Sequence, residues 1–159
     1  MNCGMTPIVK NTARLVSGFI AVFGIYIALT GHLSPGGGFA GGVILAAAAV
    51  LIVLAFGRAD AERIFTPSRC HVWDAAGAGL FLAVALVGYL SGGFFVNFIG
   101  RISKGQVGHL FSGGTIIVSN LFILIKVAAG LAGAFLALSA FRRHEGEADG
   151  SALKGASTP

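Results

Sequence analysis

Long apolar runs constrain this chain more than any motif in it. A helix needs about 20 apolar residues to cross the hydrocarbon core of a bilayer. Four stretches approach or exceed that, at residues 12–30, 35–56, 75–89 and 114–141. The first has no charge after Arg14, the second none before Arg58, and the fourth is interrupted only by Lys126. At 1.5 Å per residue, residues 114–141 extend roughly 42 Å, so this helix must tilt or project from the membrane. Composition agrees. Only 11% of residues are charged, against about 25% in soluble domains, and the mean hydropathy is +0.86. Too few charges exist to cover a water-facing surface. The expected fold is an all-α integral membrane protein of four transmembrane helices.

Basic residues set the orientation. Four spans put both termini and the second loop on one side. That side carries Lys10, Arg14, Arg58, Arg63, Arg69, Arg142, Arg143 and Lys154, and the other only Arg101 and Lys104. The positive-inside rule then places both termini in the cytoplasm and the first loop outside. Trp73 and Tyr89, near the two ends of the third span, suit an aromatic belt. Residues 142–159 are polar and rich in small residues, and read as a disordered cytoplasmic tail. Lys10 and Arg14 before an apolar run resemble a signal peptide. The run is long, no cleavage site follows, and more spans come next, so a retained first helix is expected. Met5 is a second candidate start.

The net charge of +5 is scattered around the apolar runs rather than gathered on one face, which argues against nucleic-acid binding. Cys3 and Cys70, and His32, His71, His109 and His144, are too dispersed for a metal site or a disulfide framework. No metal or cofactor is expected.

The stretch "GHLSPGGGFAGG" spells a dinucleotide-binding pattern at Gly36–Gly41, with Asp60 downstream where a ribose-binding acid would stand. Its context is wrong. The apolar run before it is too long for a strand, and the helix after it lacks a polar stripe. No nucleotide is expected. The helix-start reading explains more: Ser34 as N-cap, Pro35 in the first turn, then Gly36, Gly37, Gly38, Phe39, Gly41 and Gly42. Gly37 with Gly41 and Gly38 with Gly42 are overlapping G-x-x-x-G pairs, which let neighbouring backbones approach closely. Each glycine costs about 1 kcal/mol relative to alanine in a helix. Two readings of what offsets this remain open: close helix packing, or an open helix N-terminus facing water or an ion path.

Lys126 falls near the middle of the fourth span. A lysine at that depth costs roughly 2.5–3.5 kcal/mol and needs a partner or a water-filled cavity. Asn120 lies on another face of the same helix, and Ser119 on the same face two turns away. Asp74 is expected at the cytoplasmic end of the third helix, as an interfacial cap and too far from Lys126 to meet it. The counter-charge is therefore expected from another subunit. Lys126 reads either as an interface lock or as part of a proton or cation relay. Lys126, Asp74, His32 and Asn120 are the candidates for an ion pathway or its coupling; a histidine placed like His32 or His109, in an outer loop, is more often a solvated residue than a ligand.

The stretch "TGHLSPGGGFAGGVILAAA" resembles the signature of the MnhB/MrpB family, the B-type subunits of Mrp-type multisubunit sodium/proton antiporters. "DAAGAGLFLAVALVGYLSGGFFVNF" and "LFSGGTIIVSNLFILIKVAAGL" are similar to that family's third and fourth spans, the lysine included. The resemblance implies an accessory subunit of a Na⁺(Li⁺)/H⁺ antiporter in a prokaryotic plasma membrane, without catalysis of its own. It implies two large antiporter-like partners and several small helical Mrp/Mnh subunits, set in the lipid bilayer. Sodium and protons would then be transported by the complex. Related subunits also occur in redox-driven ion pumps of the membrane-bound hydrogenase type, which is the alternative. The motif maps onto His32, Pro35, Gly36, Gly37, Gly38, Phe39, Gly41 and Gly42, and the intramembrane lysine onto Lys126.

Overall fold

The computed structural model describes residues 5–57, 66–97 and 113–155, with side chains as far as residue 139 in the last of these. Four helices account for nearly all of it: α1 (Pro7–Thr30), α2 (Gly38–Phe56), α3 (Pro67–Leu90) and α4 (Thr115–Gly155). Each includes a segment long and apolar enough to cross a membrane, Thr115–Ser139 in the case of α4. No strand occurs among the described residues. This is the all-helical four-span fold expected from hydropathy.

Packing links the helices in the order α1, α2, α4, α3, with a lighter contact from α1 to α4. The buried residues are mostly alanine and glycine: Ala13, Ala28, Ala46, Ala49, Ala55, Ala85 and Ala132, with Gly24, Gly41, Gly42 and Gly77. Apart from a few such as Leu124 and Leu136, the large apolar side chains point outward, among them Phe19, Tyr26, Phe39, Leu86 and Leu90. Small residues inside and large ones outside is the pattern of a bundle whose solvent is lipid, where helices gain by close approach rather than by hiding surface from water. At the start of α1, Lys10 and Arg14 lie over the Phe56 ring at the end of α2, 5.7 and 5.1 Å from its centroid.

Four boundaries differ from expectation, the first being α1, which starts at Pro7 rather than at residue 12. Helix α2 begins at Gly38 rather than at Pro35. Gly36 (φ 154°) and Gly37 (φ 114°) lie where side-chain-bearing residues rarely go, so the helix cannot start before them. Ser34 is correspondingly not its N-cap: its hydroxyl donates to the Thr30 carbonyl oxygen at 3.3 Å, finishing α1 instead. Helix α3 starts at Pro67, eight residues before residue 75, because Pro67 suits a first turn and the polar residues that follow do not stop the helix. Asp74 therefore lies two turns inside α3 and is not a cap. Finally, α4 continues to Gly155, so most of the tail expected to be disordered is helical. Ala, Glu, Leu, Arg and Lys there are all adequate helix formers.

Candidate functional site

The central feature is an ion pair on the flank of the bundle. Lys126 Nζ donates to Asp74 Oδ1 at 2.8 Å, joining α4 to α3. Lys126 stands eleven residues after Thr115, about 17 Å along α4 and near the middle of the membrane segment. The expectation that Asp74 lies too far away is therefore overturned, and the counter-charge comes from this chain. The early start of α3 sets Asp74 two turns inside that helix, and Gly77 does the rest. A Cβ at Gly77 would stand 2.9 Å from the Lys126 backbone nitrogen and 2.9 Å from the Phe122 oxygen. A Cβ at Gly130 would stand 3.4 Å from Asp74 Oδ1. The Gly77 distances are too tight for any side chain and the Gly130 distance is an ordinary contact, so it is the bare backbone at Gly77 that lets α3 and α4 approach and Lys126 reach the carboxylate. Neither glycine stood out in the sequence; the signal was their spacing, Gly77 three residues from Asp74 and Gly130 four from Lys126.

The pair is not enclosed by its own chain. The Lys126 and Asp74 side chains are 47% and 36% exposed. At this depth such a face cannot meet hydrocarbon without cost, so it calls for a protein neighbour or water.

The glycine block forms a second centre, at the other end of α2 from Phe56. Gly38 lies directly against the backbone of Asn120, leaving no room for a Cβ. A Cβ at Gly42 would be 2.8 Å from Val127 Cβ and 3.0 Å from the Leu124 oxygen. Gly41 instead faces α1, where a Cβ would come 2.5 Å from the Gly24 oxygen. Of the two readings left open for these glycines, the packing one describes what is found: Gly38 and Gly42 seat α4, and Gly41 seats α1. Asn120, placed by the sequence merely on another face from Lys126, faces Gly31, Gly37 and Gly38. His32 is half-buried against Gly113, where a Cβ would come 2.9 Å from its Cγ. Ser34, Pro35, Gly36 and Phe39 are exposed, Phe39 at 67%. The structure thus separates the predicted residues into two groups. Lys126 and Asp74 meet on the α3–α4 face, while Asn120 meets Gly37 and Gly38 where α2 begins against α4.

Sequence reading missed Asn97. The chain after α3 folds back on it, with Phe95 5.2 Å from Phe81 in ring centroids. This brings Asn97 Oδ1 to the first residue of α4, where it accepts from the Thr115 backbone N–H at 3.2 Å and from its hydroxyl at 3.4 Å. A polar side chain satisfying a helix's first N–H groups acts as a cap, here supplied from 18 residues upstream. Among the described residues no group of acidic, histidine and cysteine side chains is arranged to hold a metal. Cys3, Asp60, His109 and the rest of residues 98–112 lie outside the described residues, and the side chain of His144 does too.

Known proteins are similar to this chain over most of its length. Residues 8–133 match the family described as a domain related to the MnhB subunit of Na⁺/H⁺ antiporter. An uncharacterised protein of Methanocaldococcus jannaschii is 33% identical over 84% of this chain and 52% of its own length. The B-type subunit of the Na⁺/H⁺ antiporter of Bacillus subtilis is 40% identical over 48% of this chain and 52% of its own. Among solved structures, a chain of the membrane-bound sulfane sulfur reductase, an archaeal respiratory membrane complex, superposes with a TM-score of 0.67. It is 35% identical, over 82% of this chain and 56% of that one. The chain spans about half the length of the relatives it matches. With a match over most of its sequence and the four-span fold beneath it, the chain belongs to the MnhB-related family of membrane subunits.

Proposed function

We propose that this protein is the accessory B-type subunit of a multisubunit Na⁺(Li⁺)/H⁺ antiporter, which exports sodium in exchange for protons and serves sodium and pH homeostasis. The observation that carries this reading is the Lys126–Asp74 pair, at membrane depth and open on one face. A complete proton or cation path needs several titratable groups in series across the membrane. One ion pair is a single station, so this chain forms one wall of a pathway whose remaining groups come from neighbouring subunits. The chain binds no cofactor and catalyses no reaction of its own. It lies in a prokaryotic plasma membrane with both termini cytoplasmic.

The similarity to a chain of a respiratory sulfur reductase favours a second reading, the equivalent subunit of a redox-driven ion pump. Deleting the gene and measuring Na⁺-dependent proton movement in everted vesicles tests the first reading. We expect antiport to be abolished and restored by the plasmid-borne chain; full activity without it sinks the proposal. Native mass spectrometry of the gently solubilised complex separates the two readings. Antiporter subunits alone support the first, and an attached iron–sulfur module supports the second.

A further inference from the structure

A crevice of about 600 Å³ is lined by all four helices. Its walls are small and apolar, including Ala21 of α1, Ala48 of α2 and Ala129 of α4. Arg14, Arg69 and Trp73 also line it. Arg69 is the third residue of α3 and Arg14 stands two turns into α1, so both guanidinium groups belong to the end of the bundle where these two helices begin. Among the described residues neither arginine pairs with a carboxylate; Arg14 has only the Phe56 ring. The crevice is thus apolar along its depth and doubly cationic at one end.

We propose that it is a binding site for one anionic phospholipid, the phosphate held between Arg14 and Arg69 and an acyl chain lying against the alanines. Charge complementarity selects an anionic headgroup. The crevice's small apolar walls and volume of about 600 Å³ suit a single acyl chain. Basic pockets between membrane helices are suited to such headgroups. The site is independent of which ion the complex moves.

Trp73 is the sole tryptophan of the chain and lines the crevice, so its fluorescence reports occupancy directly. The full chain is reconstituted in phosphatidylcholine nanodiscs containing a few mole per cent of lipid brominated on its acyl chains, either phosphatidylglycerol or phosphatidylcholine. We expect brominated phosphatidylglycerol to quench Trp73 at a much lower mole fraction than brominated phosphatidylcholine, with each arginine worth about five-fold. R14Q with R69Q should abolish this preference, and R14K with R69K should largely keep it. A129L, which fills the crevice and leaves both charges in place, should also abolish it. Circular dichroism and gel filtration identify the variants that remain folded. Equal quenching by the two lipids in the unmodified chain overturns the proposal. Retained preference in folded A129L also overturns it, because binding would then be to the surface arginines alone. Loss of the preference when the partner subunits are bound would show that protein fills the crevice, and overturns it as well.

Discussion

A lysine and an aspartate that meet in the membrane each make the other tolerable. Removing one leaves a charge uncompensated at a depth where a lone lysine costs about 3 kcal/mol. Lys126→Ala and Asp74→Ala should therefore each lower the membrane abundance of the chain, and the double variant should recover it. Quantitative immunoblotting of membranes checks this. Antiport measured on the same membranes tells the pair's second role apart. If the pair also serves ion movement, the double variant recovers abundance but not transport, and Lys126→Ala loses more activity than protein. Parallel recovery of both would mark the pair as structural only. Its existence was half legible in the sequence. Lys126 announced itself as a charge needing a partner, but Asp74 was assigned to the membrane surface. The reason is local: polar Ser68, Arg69 and His71 lowered the apparent hydropathy of a helix that in fact starts at Pro67.

Helix α4 is fitted to α2 and to α3 through glycine, and the fit is specific to position. Gly42→Leu would drive a side chain into Val127 and the Leu124 carbonyl, and Gly77→Leu into the Lys126 backbone. Both should weaken α4 against its neighbours and lower the melting temperature of the detergent-solubilised chain. Gly79 has nothing within 4 Å of its would-be Cβ. Gly79→Ala should accordingly be neutral or stabilise by up to about 1 kcal/mol, the intrinsic helix preference of alanine. If Gly79→Ala and Gly77→Leu destabilise alike, close packing is not the role of these glycines. Asn97→Ala should cost about 1 kcal/mol, as loss of a helix cap does, and Asn97→Asp should keep most of it; thermal unfolding in detergent measures both. The G-x-x-x-G spacing in the sequence did indicate that backbones come close. Which glycine meets which helix was not readable, because overlapping motifs on one helix point to different faces and only the bundle's arrangement assigns them. The conflict between Ser34-Pro35 as a helix start and Gly36-Gly37 as a break was likewise decided by backbone conformation.

At the scale of the molecule, the bundle has a small-residue interior and large apolar side chains over its outside, with one charged pair left open on its flank. That is the shape of a piece that takes its remaining surroundings from lipid and other chains. Its orientation is testable with single cysteines in a cysteine-free background. A cysteine at exposed Ser34 should react with a membrane-impermeant maleimide in intact cells, and one at exposed Ser68 only in everted vesicles; the reverse pattern would invert the topology. Long apolar runs alone were sufficient to establish the number of helices and the membrane as their solvent, since burying or solvating the backbone there leaves no other choice. The signature around Gly36–Gly42 pointed to the family before any contact was known. Tertiary structure decided the rest. It showed that Asp74 answers Lys126, that Asn120 serves the glycine block rather than the lysine, and that Asn97 caps a helix 18 residues away. It also left a cationic-ended crevice among four helices. Each of these joins residues far apart in the chain, and hydropathy and spacing along one helix contain no information about how the faces of different helices meet.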